Sequence, residues 1–104
     1  MRWFKDVYNR RVRLTDERQE HLEIDHPEMA GQINKIEETL LSPDQVVKSK
    51  TDPNVELFYR RYDITPVTEK YICVIIKVSM GDLFIITAYF TNTIKTGEIL
   101  WKKQ

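Results

Sequence analysis

The chain has 104 residues, of which 41% are hydrophobic and 31% charged, with three glycines, four prolines and one cysteine. That composition describes one globular domain over 1–104 with a single core, without repeats or low-complexity tracts. Sixteen basic and 16 acidic residues cancel, which argues against strong nonspecific adhesion to phosphate backbones and leaves room only for a local basic cleft.

The charges are unevenly spread. Residues 1–14 hold five basic and one acidic residue, 15–45 two and nine, and 46–104 nine and six. Any nucleic acid would therefore meet the N-terminal arm and the later segment, while the acidic middle repels it.

Residues 1–14 read as a basic, aromatic arm with Trp3, Phe4 and Tyr8, closing in a short edge strand where Val12 and Leu14 alternate with Arg11 and Arg13. The start, MRWFKDVYNRR, lacks the apolar core of a leader, and no apolar run reaches the length of a spanning helix. No membrane association and a reducing, cytoplasmic setting are expected. Residues 15–45 read as helical. Thr15 is a candidate N-cap, with Asp16 and Glu17 in the first turn. That helix runs to about Ile24. His26-Pro27-Glu28 marks a second helix start, and Met29, Ile33, Ile36 and Leu40 follow a helical period. Ser42-Pro43-Asp44 predicts a further short helical turn.

The period then changes. Residues 46–104 read as an antiparallel sheet, with strands at 46–49, 55–62 and 98–101 around a central hairpin, Tyr71 to Thr91. The runs YICVIIKVS and LFIITAYFT flank Met80-Gly81-Asp82. A three-residue loop pairing Ser79 with Leu83 puts Ile72, Val74, Ile76 and Val78 on one face with Phe84, Ile86, Ala88 and Phe90. Lys77, Thr87, Tyr89 and Thr91 then share the other face. In the 55–62 strand, Glu56 and Arg60 are costly to bury. This predicts Leu57 and Tyr59 toward the helices, and Phe58, Arg60 and Tyr62 on the face of Lys77. The expected fold class is α+β, with two N-terminal helices packed on one face of a four- to five-stranded antiparallel sheet.

The segments RVRLTDERQEHLEIDHPEM, ETLLSPDQV, LFYRRY, YICVIIKV and LFIITAYFTNTIKTGEILW resemble phage and bacterial nuclease-like domains of the Barnase–EndoU–colicin–RelE type. The resemblance covers about residues 10 to 101. Its most specific pieces are the LT-x-E-R start, His26-Pro27-Glu28 and the FIITAYFT strand. It implies two helices followed by an antiparallel sheet, and metal-independent RNA cleavage. It also implies RNA and an antitoxin or immunity protein as partners. The chain departs from the pattern at Gln19, where a bulky aromatic is expected.

RNA cleavage of that kind needs a base for the 2′-OH, a cation at the phosphorane and an acid for the leaving oxygen. His26 is the candidate acid or base, and a helix-capping histidine is its bland alternative. His21 is a weaker candidate, more simply read as half-buried against the sheet. Arg60 is preferred over Arg61 as the phosphate fork. Lys77 is an unusual mid-strand cation that could neutralise phosphate or pair with Glu56. Thr87, Tyr89 and Thr91 would line the site, with Ser49 and Lys95 at its periphery. Each of these strand residues also has an ordinary reading as sheet decoration. Two histidines and one cysteine match no zinc spacing, so no metal and no cofactor are expected, and Cys73 reads as a buried thiol. The rival reading is a non-catalytic RNA- or protein-binding domain of the same fold. In a partner-bound form, Trp3, Phe4 and Trp101 would belong to an interface rather than to the core.

Overall fold

In the computed structural model, which describes residues Met1–Gln104, this patterning becomes seven strands and two helices. Chain order is β1 (Arg2–Lys5), β2 (Arg11–Leu14), α1 (Asp16–Asp25), a 3-10 turn (Pro27–Met29), α2 (Ile33–Leu41) and β3 (Gln45–Lys48). Strands β4 (Val55–Arg61), β5 (Tyr71–Ser79), β6 (Asp82–Thr91) and β7 (Ile99–Lys102) follow. They form one sheet in the order β1-β2-β6-β5-β4-β3-β7. The α+β class is as expected. The four- to five-stranded antiparallel sheet is not: there are seven strands, and β2 runs parallel to β6. The basic arm folds into the β1–β2 hairpin, so β2 lies inside the sheet instead of at its edge. Four-residue strands carry too little alternation to announce their partners.

The helix signals hold locally. Thr15 Oγ1 accepts the Arg18 N–H at 3.1 Å, and Pro27 opens the 3-10 turn. Gly31, at φ +79°, then breaks the expected second helix, and α2 restarts at Ile33. Ser42-Pro43-Asp44 forms no helical turn. Asp44 instead accepts the Arg61 N–H and leads directly into β3. Leu22, Met29, Ile36 and Leu40 are buried against Phe58, Ile72, Val74 and Ile76, each side chain contributing about 1.5–3 kcal/mol. No helix is long and apolar enough to cross a membrane.

The central hairpin keeps the expected faces of β5 and of β6 from Thr87 onward, but reverses those of residues 83–86. Its loop is the two-residue Met80-Gly81, with φ +48° and +85°, and Ser79 pairs with Asp82. Both central residues have the left-handed φ of a type I′ turn, whose twist matches that of the strands. Alone, this loop would turn β6 over. A bulge at Ile86 restores the register: Ile76 pairs with Ile85, but Ile75 pairs with Thr87. Leu83, Ile85, Ala88 and Phe90 therefore face the helices, and Phe84 and Ile86 do not belong to that buried set. Thr87, Tyr89 and Thr91 still share a face with Lys77, as expected.

The expected orientation of β4 is reversed. Phe58 pairs with Val74 in the helix-side core, whereas Leu57 pairs with Ile75 and Tyr59 with Cys73 on the opposite face. Both charged side chains find a hydrogen-bond partner where they lie, although Arg60 Nε is buried without one. Glu56 accepts from Arg10 at 2.7 Å, and Arg60 Nη1 donates to the Ser42 carbonyl at 2.6 Å. Those partners come from distant segments.

Arg10 belongs to a further buried feature of the β1–β2 turn. The Asp6 carboxylate is fully buried and accepts from Tyr8 N, Arg10 N and Arg10 Nε at 2.7–3.0 Å. Arg10 in turn joins this turn to Glu56 on β4.

The face away from the helices carries a second, small core of Val47, Leu57, Tyr59 and Cys73. Residues 92–98 cover it. They must cross the sheet, because β6 and β7 lie on opposite sides of β5, β4 and β3. Ile94 packs on the small core, and the Lys95 N–H donates to the Tyr59 hydroxyl at 3.1 Å. Gly97 lets this strap lie close. A Cβ there would sit 2.5 Å from the Lys48 carbonyl oxygen and 2.8 Å from Val47 Cγ1. Gly97→Ala is therefore expected to lower stability by about 1–3 kcal/mol, read as a lower denaturation midpoint, with amide exchange rising first in β7. An unchanged midpoint would contradict this close packing.

Candidate functional site

The sheet register sets out the strap-side face in rows. One row runs Val47, Leu57, Ile75, Thr87 across β3 to β6. The next runs Gln45, Tyr59, Cys73, Tyr89, and a third Arg61, Tyr71, Thr91. The strap lies over Tyr59 and Cys73, which are fully buried. It divides the face into two regions.

The first region lies along β6. Strand β2 pairs with β6 only at Leu83 and Phe84, so the stretch from Ile86 onward has no strand beyond it. There His26, the junction between α1 and the 3-10 turn, brings its ring against Tyr89 at 5.4 Å between centroids and 32° between planes. Its Nδ1 lies 3.7 Å from Glu28 Oε1, and the side chain is 34% exposed. His26 thus sits at the junction of two helical turns without a side-chain capping bond, and its ring meets the strap-side face at Tyr89. Burial, and then the neighbouring Cys73, push the Tyr89 phenol well above its ordinary range, so it stays protonated. Thr91 Oγ1 accepts the Thr93 N–H at 3.2 Å, which starts the strap.

The β4 arginine on this face is Arg61, two strands away from β6. Its row neighbours are Tyr71 and Thr91, and its only ion pair is with the exposed Asp63 at 3.0 Å. Arg60, the preferred fork in the sequence, points to the helix side. It binds the Ser42 carbonyl, lies 3.5 Å from Glu38 and stacks over Tyr62. The preference for Arg60 is therefore corrected. The odd–even parity of β4 carried the information, but it was set by burial costs that Arg10, Ser42 and Glu38 relieve. His21 is likewise separate. It is exposed on α1, 3.8 Å from Glu17, and not half-buried on the sheet.

The second region is a groove of about 560 Å³ between the 48–52 loop and the strap. Its floor is Val47, Val55, Leu57 and Ile75, and its rim includes Ser49, Lys50, Lys95 and Thr96. The peripheral candidates Ser49 and Lys95 thus meet here. Ser49 Oγ accepts the Thr51 and Asp52 N–H groups at 3.3 and 3.4 Å, shaping the loop. Lys77 pairs with Asp52 at 2.6 Å, not with Glu56, and ties the loop to β5. Lys48 lies 3.8 Å from Glu98. Lys50, Thr96 and Tyr71 carried no sequence signal, because they become neighbours of the site only through the crossing strap and the register.

The Lys77 hydrogen bond, and then the Asn54 N–H, hold the Asp52 carboxyl below its ordinary range. A depressed carboxylate gives its stabilising effect above its unfolded pKa and loses it as pH falls through the lower folded value. The loop clasp is therefore expected to persist through neutral and mildly acid pH. A carboxyl titration of Asp52 by NMR should give a midpoint below about 3.9, returning toward it in Lys77→Ala. A midpoint unaffected by that change would contradict the clasp. Cys73 is buried, and its thiol is pushed up to about 11 by burial, as expected of an inert core cysteine.

Compared with family models, curated proteins and solved structures, the chain matches none. The functional reading therefore rests on the residues themselves.

Proposed function

We propose that the chain binds single-stranded RNA on the strap-side face and cleaves it without a metal, the chemistry implied by its resemblance to the Barnase–EndoU–colicin–RelE group. The observation that carries this is the contact of His26 with Tyr89 on a face that also presents Arg61. An imidazole beside a protonated phenol and an exposed guanidinium supplies the needed chemical groups. A base takes the 2′-OH proton as O2′ bonds to phosphorus. The P–O5′ bond breaks, and an acid protonates the departing O5′. His26 suits proton transfer, Arg61 suits the phosphate oxygens, and Tyr89 donates a hydrogen bond. Thr87 and Thr91 add hydroxyls along β6. The acidic helices lie on the other side of the sheet, which reconciles zero net charge with an anionic substrate.

The test is incubation of the purified chain with single-stranded RNA in EDTA. Expected products end in 2′,3′-cyclic phosphates, and the same strand built of 2′-deoxynucleotides is left intact. No cleavage, or cleavage lost in the chelator, would overturn the reading.

A second reading, binding without cleavage, is favoured by one observation. Arg60 is engaged by Ser42 and Glu38, and Lys77 by Asp52, which leaves two of the expected phosphate cations occupied. It predicts retarded RNA in a gel with no new ends. For an antitoxin-like or immunity partner, the surface on offer is Trp3, 48% exposed, beside the exposed Leu41. Phe4 is excluded from that role because it is buried in the core, against which Trp101 also packs.

A further inference from the structure

We propose that the groove between the 48–52 loop and the strap is a nucleotide subsite, which takes a base on its floor and a phosphate on its lysine rim. The proposal rests on the RNA reading and extends it to a second place on the same face. The volume of about 560 Å³ lies within the roughly 300–1,000 Å³ of small-molecule sites. Val55 and Ile75, half-buried, form the accessible part of an aliphatic floor and offer van der Waals contact to a flat ring, with Val47 and Leu57 buried beneath them. The rim is cationic. Lys48 and Lys77 have their carboxylates, Glu98 and Asp52, whereas Lys50 and Lys95 form no ion pair and are exposed at the mouth.

The two halves select one ligand class. A neutral apolar ligand would use the floor and leave both ammoniums without a partner. A bare phosphate would use the ammoniums and leave the aliphatic floor in water. A nucleotide satisfies both. The hydroxyls of Ser49, Thr51 and Thr96 add donors and acceptors at the same mouth. The strap separates this groove from His26 and Tyr89, since Ile94 and Lys95 lie over Tyr59 and Cys73. The groove therefore holds a nucleotide neighbouring the one that reacts. It acts as an anchor and not as the place of bond breaking.

The experiment is an NMR titration of the full chain with adenosine and uridine 5′-monophosphates, inorganic phosphate and the free nucleosides. The expected result is shifts at Ser49, Thr96 and the Ile75 methyls with a monophosphate, and at least tenfold weaker binding of phosphate or nucleoside alone. Lys50→Ala with Lys95→Ala, both exposed and unpaired, should weaken monophosphate binding at least tenfold. For single-stranded RNA the double change should lower the salt dependence by about one unit of slope per lysine. The proposal is overturned if phosphate binds as tightly as the nucleotide, if shifts are confined to Tyr89 and Arg61, or if the double variant binds unchanged. Monophosphate in the groove without RNA cleavage would keep the subsite and remove the nuclease reading. Cleavage with no nucleotide in the groove would do the reverse.

Discussion

His26→Ala is expected to slow metal-independent RNA cleavage by about 10²–10⁴-fold, the usual share of a positioned acid or base. The fold should survive. The His26 side chain makes no hydrogen bond of its own, is 34% exposed, and its helix-ending bond comes from the backbone N–H to the Leu22 carbonyl. Loss of stability should therefore stay at about 1 kcal/mol, the usual worth of one aromatic pair such as His26 on Tyr89. Two comparisons separate catalysis from positioning. Tyr89→Phe removes the phenol but keeps a ring for His26 to rest on, so it should lower the rate less than His26→Ala. Arg61→Ala should cost rate, and Arg60→Ala should instead lower the melting temperature, because Arg60 holds Ser42 and Glu38 on the helix side. If a folded His26→Ala protein cuts RNA at the full rate, histidine chemistry at this face is ruled out.

The largest expected effect on stability is at Asp6. Its carboxylate has no exposure and accepts two backbone N–H groups and the Arg10 guanidinium. Asp6→Ala would leave those part-buried donors unpaired and loosen the link from Arg10 to Glu56. Breaking a buried ion pair by removing one partner costs about 3–5 kcal/mol. Arg10 keeps 28% exposure, so about 3 kcal/mol is expected. Chemical denaturation should show the lower midpoint, and early amide exchange should appear in β1 and β2. Glu56→Gln keeps an acceptor for Arg10 and should cost less. A loss below about 1 kcal/mol for Asp6→Ala would mean that water reaches these groups.

The sequence was informative wherever a short-range pattern decided the outcome. The Thr15 cap, the helical turn opened by Pro27, the inward Ile36 and Leu40 of α2 and the β5 alternation are all set within a few residues, and each is found in the structure. The β5–β6 hairpin was legible in the faces of β5 and of residues 87–91, but not in its turn or in residues 83–86. The reason is that Met80-Gly81 and the Ile86 bulge are two departures that compensate each other. Parity along β4 was misread, because the rule that charges stay out of cores fails when a partner arrives from another segment. Arg10 lies 46 residues from Glu56, and Ser42 lies 18 from Arg60. That one inversion exchanged Arg60 for Arg61 at the candidate site.

The amino-acid sequence by itself determined the α+β class, the helix start after Thr15, the helical turn opened by Pro27, and the apolar and polar sets of β5. These depend on local backbone preference and on the periods of helix and strand. Only the tertiary structure decided which arginine shares a face with Tyr89, that β2 joins β6 in parallel, and that residues 92–98 cross the sheet and enclose a groove with the 48–52 loop. Those features depend on contacts between segments far apart in the chain, where packing and the pairing of buried charge outweigh local pattern.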